Sequence, residues 1–229
     1  AFVAAYLYDG DAPLAERRAQ ALALDRNLLR ELLGEEELRE LLDADVIAEL
    51  ERELQYLTEE RRVMHADHLH DLLRRLGALA EAEVALRVQG DVAAMLSELY
   101  RSRRAVKMTI AGKAHVVAVE DAALYRDALG CVPPHGVPDA FLGVVERPLE
   151  ALLSRWARTH GPFLASDFSA RHGLSRAAVQ PALSQLEADD RIVRGAYRGG
   201  AVGWCDVEVL RRIKQKSLVK LRREVEAIA

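Results

Sequence analysis

The chain has 229 residues, half of them apolar, and a formal net charge of -4. That length suits one or two domains with a real hydrophobic core. No run of about eighteen apolar residues could span a bilayer, and no charged-then-apolar leader precedes a small-residue cleavage site, so a cytoplasmic protein without membrane partners is expected. Cys131 and Cys205 are too few and too poorly spaced for a metal site, which makes a reducing compartment the default. The sequence opens at Ala1 in mid-pattern, with Phe2 to Leu7 already apolar and no initiator Met, as expected of a piece of a larger protein.

Asp11-Ala12-Pro13 opens the first predicted helix, lined by Leu22, Leu28, Leu29, Leu32 and Leu33 and closed by Gly34. Residues 45 to 57 repeat the pattern through Val46, Ile47, Leu50, Leu54 and Leu57. Residues 31 to 60 hold twelve acids against two Arg, a net of -10. Such a segment repels a phosphate backbone. Residues 1-65 therefore read as an acidic helical lead-in that packs against another domain or subunit.

From Asp67, expected as an N-cap, Leu69, Leu72, Leu73 and Leu76 mark a helix ending at Gly77. Glu81 to Arg87 forms a second helix, and Asp91 caps a third through Tyr100. Val106 to Ile110, a turn at Ala111-Gly112-Lys113, and His115 to Val119 make a hairpin, after which Asp121 starts a closing helix to Leu129. Helix, helix, helix, hairpin, helix is the order of a winged helix, placed at 66-130. Pro133, Pro134 and Pro138 mark residues 131-147 as a linker.

The same order follows in residues 148-229. Leu149, Leu152, Leu153 and Trp156 recur at helical spacing until Gly161-Pro162, and Ser166 is expected to cap a short helix that Gly173 ends. Ser175 caps the next, whose stripe of Val179, Ala182, Leu183 and Leu186 leaves Arg176, Gln180, Ser184 and Gln185 outside. Arg191 to Tyr197 alternates as a strand, Arg198-Gly199-Gly200 turns, and Val202 to Cys205 returns as the wing. A basic helix closes the chain, with seven Lys or Arg against two acids from Asp206 to Arg223. The expected fold is mainly α with short β-hairpins: tandem winged-helix domains after a helical lead-in.

The second of these domains is the better reader of nucleic acid. Arg176, Gln180 and Ser184 lie along its third helix, where Gln180 suits a base edge, while Arg194, Arg198, Arg211 and Arg212 suit phosphates. Pro181 is expected to kink that helix after its first turn. The first domain offers only Ser97 and Arg101 beside Asp91 and Glu98, with Arg101, Arg103, Arg104 and Lys107 at the helix end.

Other constellations carry less. His65, His68 and His70 with Asp67 and Asp71 lack a further ligand at partner spacing, so a solvated helix start is expected rather than metal. Phe163 and Trp204 are expected as core anchors. No Gly-x-x-x-x-Gly-Lys loop, Ser-His-Asp set or paired-carboxylate cleft can be assembled.

Tyr8-Asp9-Gly10-Asp11-Ala12-Pro13-Leu14, Leu24-Asp25-Arg26, Leu32-Leu33-Gly34, Thr159-His160-Gly161-Pro162-Phe163 and Trp204-Cys205-Asp206 resemble the C-terminal region of bacterial Lhr-type, large helicase-related proteins. The resemblance implies a segment of an ATP-dependent, 3′-to-5′ DNA helicase linked to DNA repair, whose motor domains bind ATP and Mg²⁺. The family's motor motifs have no counterpart here, so no cofactor is expected in this segment. DNA and the motor domains of the same polypeptide are the expected partners, with self-association left open. Such regions also resemble tandem winged-helix DNA glycosylases of the AlkZ type, whose β-barrel is not visible here. Two alternatives stay open: part of a glycosylase-like enzyme, marked by an acid- or Gln-rich pocket between the winged helices, or a pure oligomerisation scaffold.

Overall fold

The structure is a computed structural model describing residues 42-198 and 201-228; the helix expected between Asp11 and Gly34 lies outside them. The described residues form α1 (Ala44–Leu54), α2 (Ala66–Leu76), α3 (Glu81–Ala85), α4 (Val92–Arg101), β1 (Ala105–Ile110), β2 (Lys113–Ala118), α5 (Ala122–Leu129), α6 (Pro148–Thr159), α7 (Ala165–His172), α8 (Arg176–Ala188), β3 (Ile192–Arg198), β4 (Ala201–Asp206) and α9 (Val207–Ile228). The fold is mainly helical with two small antiparallel hairpins. None of these helices is long and apolar enough to cross a membrane. The described residues divide into two compact units, Ile47–Arg211 and residues 42-46 with 212-228.

Within the larger unit, the order of three helices, a hairpin and a further helix occurs from α2 to α5 and again from α6 into α9. Helix α2 buries Leu69, Leu72 and Leu73 on one face. Its N-cap is His65, not Asp67, which lies inside the first turn and pairs with Arg104 instead. A carboxylate there still faces the positive helix end. Gly77 closes the helix at φ 87°, its amide donating to the Leu73 carbonyl. Any Cβ at Gly77 would lie 2.5 Å from the Tyr125 hydroxyl, which accepts the Ala78 amide at 2.6 Å.

Helix α4 is capped as its sequence predicts, Asp91 Oδ1 accepting the Ala94 amide at 3.0 Å. β1 pairs with β2 from Ala105↔Ala118 to Ile110↔Lys113. Ala111 and Gly112, at φ 49° and 76°, form the two-residue turn between them, the geometry a twisted hairpin favours. Leu79 adds a third, one-residue rung: its amide donates to the Val116 carbonyl at 3.0 Å, and Val116 returns the bond at 2.7 Å.

In the second half, Pro148 occupies the first turn of α6, and Leu152, Leu153 and Ala157 are buried. Helix α7 begins after Leu164 rather than at Ser166, because Asp167 reaches back to accept the Leu164 amide at 2.9 Å. Ser175 caps α8 as expected, accepting the Ala178 amide at 3.2 Å. The rung of the first hairpin recurs on the second, where Phe163 and Trp204 exchange amide-to-carbonyl bonds of 2.9 and 2.8 Å. Val116 and Trp204 are each the fourth residue of their strands.

Two cores hold this unit together. One lies within the first half, around Leu69, Leu73, Val84, Leu99 and Val116. The other runs across both halves, joining Met108, Val117 and Tyr125 to Leu153, Phe168, Leu183 and Trp204. Two ion pairs reinforce it: Arg155 grips Asp121 through both Nη atoms, at 2.5 and 2.8 Å, and Arg171 grips Glu83 at 2.8 Å twice while donating to the Ala78 carbonyl. In the smaller unit, Lys220 lies between Asp43 and Asp45 at 2.8 and 2.9 Å. That contact holds the Asp43 carboxyl below its usual range.

Candidate nucleic-acid interface

The outer face of α8 follows from its burial pattern. Val179, Ala182, Leu183 and Leu186 are buried, and Arg176, Gln180, Ser184 and Gln185 are exposed. Gln180 Nε2 donates to Ser184 Oγ at 3.5 Å, a weak restraint that leaves its amide available, whereas Gln185 is held by Asp189 at 2.9 Å. Arg176 is exposed and has no acidic partner among the described residues. Pro181 lies on the exposed side of a helix that continues unbroken to Ala188. Because proline lacks an N–H, the Ala177 carbonyl has no helical donor and is left as an acceptor on this face.

The second hairpin is pinned to the α6–α7 turn at Gly203. A Cβ at Gly203 would stand 2.6 Å from the Phe163 carbonyl oxygen, so only glycine admits the rung that ties β4 to the α6–α7 turn. Phe163 and Trp204 are the core anchors expected, 2 and 6 % exposed. The exposed Arg194 sits opposite Trp204 in the ladder, its guanidinium 5.7 Å from the ring centroid. Stacking of that kind orients a cation at little cost in hydration. Arg198 ends β3. Arg211 is exposed and paired with Glu208, while Arg212 belongs to the smaller unit and has a partner of its own. Arg176, Gln180, Ser184 and Arg194 thus belong to one compact unit on adjacent elements.

The matching surface of the first half is more nearly neutral. Asp91, Ser97, Glu98 and Arg101 are exposed on α4. Of the basic residues at its end, Arg104 pairs with Asp67 and Lys107 with Glu81. Arg101 and Arg103 remain exposed.

Between the halves lies a cavity of about 100 Å³, lined among others by Gln55, Glu83, Tyr125, Arg155, Trp156 and Arg171. Sequence reasoning did not locate it. Most of its polar groups are engaged, Gln55 donating to the Thr159 carbonyl at 2.7 Å and accepting from the buried Arg87 at 2.8 Å, while the buried Trp156 Nε1 has no hydrogen-bond partner. Burial raises the Glu83 pKa, but the hydrogen bonds from Arg171 and the Ala80 amide outweigh it and hold that carboxyl below its usual range. Burial drives His172, against the Phe168 carbonyl, down to about 4, and pushes the Tyr125 hydroxyl up to about 12. His65 and His68 are exposed and stand edge to face, and His70 instead meets Glu120 at 3.0 Å. Among the described residues no group of three His, Cys, Asp or Glu could hold a metal ion, and Cys131 and Cys205 are not joined in a disulfide.

Helices backed by a short hairpin, with one exposed polar helix face, define the winged-helix class. The family model for the winged-helix domain of large helicase-related proteins matches residues 40-144. Over its whole length the chain is 46 % identical to an Lhr helicase and probable uracil glycosylase of Mycolicibacterium smegmatis and 37 % identical to an Lhr helicase/uracil glycosylase of Escherichia coli. It spans 15 % of the length of each. The chain belongs to the Lhr, large helicase-related, family.

Proposed function

We infer that this chain is a nucleic-acid-binding and assembly module, built of two winged helices, from an ATP-dependent 3′-to-5′ DNA helicase that acts in DNA repair in the cytoplasm. The motor domains of the same polypeptide are its neighbours and the place where ATP and Mg²⁺ bind. The observation that carries the reading is Arg176, exposed and without an acidic partner among the described residues, in line with Gln180 and Ser184 and close in sequence to the wing bearing Arg194. The rung at the fourth residue of both β2 and β4 supports counting two winged helices. The second is taken as the reader, since Arg104 and Lys107, two of the four cations at the end of α4, are held in internal ion pairs and its third helix carries Gln180 and Ser184 beside the unpaired Arg176.

Binding through such a surface is mostly electrostatic. Log affinity for duplex DNA should fall with log salt by about 0.9 per neutralised phosphate, or about 0.7 on a single strand. Arg176→Ala should weaken all sequences alike and reduce that slope by about one contact, and Gln180→Ala should change only sequence preference. Titrations of labelled duplex and single strands at two salt concentrations test this. Weak curves that ignore salt would assign the face to a protein partner.

The relatives' names include uracil glycosylase activity, and the cavity between the halves holds Gln55 and Glu83. Glu83 is committed to Arg171 and held below its usual pKa, which suits a structural anion better than a general base. Base excision therefore belongs to other parts of the protein in this reading, and this chain works without catalysis.

A further inference from the structure

The turn of the first hairpin does not end in solvent on its own: it rests against the second half. A Cβ on Gly173, the residue that closes α7, would lie 3.1 Å from the Ala111 Cβ and 3.3 Å from its Cα. Gly173 is at φ 68°, so glycine here satisfies both the helix stop and the contact. Two residues after Gly173 comes Ser175, the cap of α8, and then Arg176. Two residues after Ala111 comes Lys113, exposed at the start of β2 and without an acidic partner among the described residues. Chain geometry limits two residues to about 7 Å and three to about 10 Å. Lys113 and Arg176 therefore each lie close to one contact in a single compact unit. The charges nearest the hairpin are accounted for: Arg171 and Glu83 neutralise each other, Lys107 is bound by Glu81, and His115 is buried with its pKa lowered.

We propose that the first hairpin is a second wing for the second reader, Lys113 meeting the phosphate backbone on the flank of the groove that α8 enters. An ordinary wing follows its own recognition helix in sequence, as β3 and β4 follow α8 here. The one built from β1 and β2 reaches the same helix at its other end, through Ala111 and Gly173. Its two-residue turn, set by Ala111 and Gly112 at positive φ, is tight, so the backbone that carries Lys113 is positioned before DNA arrives. The occupant is the backbone of duplex DNA, because two exposed cations without acidic partners among the described residues, Lys113 and Arg176, each lie within a few residues of one contact and a recognition helix lies between phosphate walls. The first half thereby contributes to binding without reading bases.

The proposal rests on α8 being the reader, and the test separates the two ideas. A labelled duplex is titrated at several salt concentrations with wild type, Lys113→Ala, Lys113→Arg, Lys107→Ala and Arg176→Ala. Lys113→Ala should cut affinity about eightfold at 0.1 M salt, the weight of one phosphate contact, and lower the log-log slope by about 0.9. Lys113→Arg should keep both, and Lys107→Ala, whose cation is already paired, should change neither. Thermal melting of Lys113→Ala should match wild type, because the side chain is exposed. If wild type itself shows no salt-dependent binding, or Arg176→Ala changes nothing, the reading of α8 fails. Wild-type binding that Arg176→Ala weakens, with Lys113→Ala unchanged or Lys107→Ala equally weakened, overturns the second wing alone.

Discussion

Replacing Gly203 by alanine tests the joint that fixes the wing. The new Cβ would meet the Phe163 carbonyl oxygen at 2.6 Å and the Leu164 Cδ2 at 3.3 Å. The first atom is backbone and cannot swing aside, so β4 must move away from the α6–α7 turn. That movement breaks the two bonds between Phe163 and Trp204, 2.9 and 2.8 Å long, each worth about 1 kcal/mol net. Displacing the buried anchors adds about 1–3 kcal/mol of strain. The smaller entropy of an alanine-containing unfolded chain returns about 0.4–1 kcal/mol. A destabilisation of about 2–5 kcal/mol follows, measured by urea unfolding followed through the fluorescence of Trp156 and Trp204. Two controls bracket it. At Gly195 the obstruction is the Tyr197 ring at 2.8 Å, a half-buried side chain with room to turn, so Gly195→Ala should cost less than Gly203→Ala. At Gly143 nothing lies within 4 Å, so alanine should change stability by no more than about 0.5 kcal/mol. A Gly203→Ala protein as stable as the Gly143→Ala protein would refute the account of the rung.

Arg155→Met should destabilise the protein by about 3–5 kcal/mol, because it leaves the Asp121 carboxylate, 12 % exposed, without its cation; a loss below about 1 kcal/mol in urea would mean that water already serves the pair. His172 gives a pH signature. Its native pKa of about 4 lies below the ordinary 6.5, so between those values the unfolded chain binds more protons, and stability falls as pH drops from 6.5 toward 4. The full effect is up to about 3 kcal/mol, and His172→Gln should flatten the stability profile across that window; an unchanged profile would show that other groups set it.

How much of this was legible follows from how local each signal is. Asp91 and Ser175 were readable as caps because a short acceptor directly preceding a periodic apolar stripe has one nearby amide to satisfy. The start of α7 misled, since Ser166 and Asp167 are adjacent acceptors and the longer side chain reaches back to Leu164. Asp67 misled similarly: Arg104, 37 positions away, draws its carboxylate out of a capping role. The hairpins and the outer face of α8 were legible from alternation and from the helical stripe. The junction was not. Arg155 finds Asp121 across 34 positions and Arg171 finds Glu83 across 88, and no period connects such residues. Asp121 was expected to begin a helix, and it does stand at the start of α5, yet its side chain makes no cap bond and serves the other half instead.

In the proposed reading, the same long-range pairing sets the charge on the outer surfaces of two halves that share one element order. A winged helix has no intrinsic affinity for phosphate; what matters is how many cations on its outer surface are left without internal partners. In the first half, Asp67 and Glu81 stand at the starts of α2 and α3, where acids stabilise helix N-termini, and from there they capture Arg104 and Lys107. In the second, Asp167 turns back on its own backbone, as Glu83 does in the first, and among the described residues no acid pairs with Arg176 or Arg194. If α8 carries the proposed binding, adding an acid near Arg176 should silence it without unfolding the protein. Ala177→Glu places one on the exposed side of α8 beside Arg176, adds negative charge near the helix N-terminus where it is tolerated, and should abolish salt-dependent DNA binding while urea unfolding stays unchanged. Retained binding by that variant would mean that the phosphates lie elsewhere than along α8.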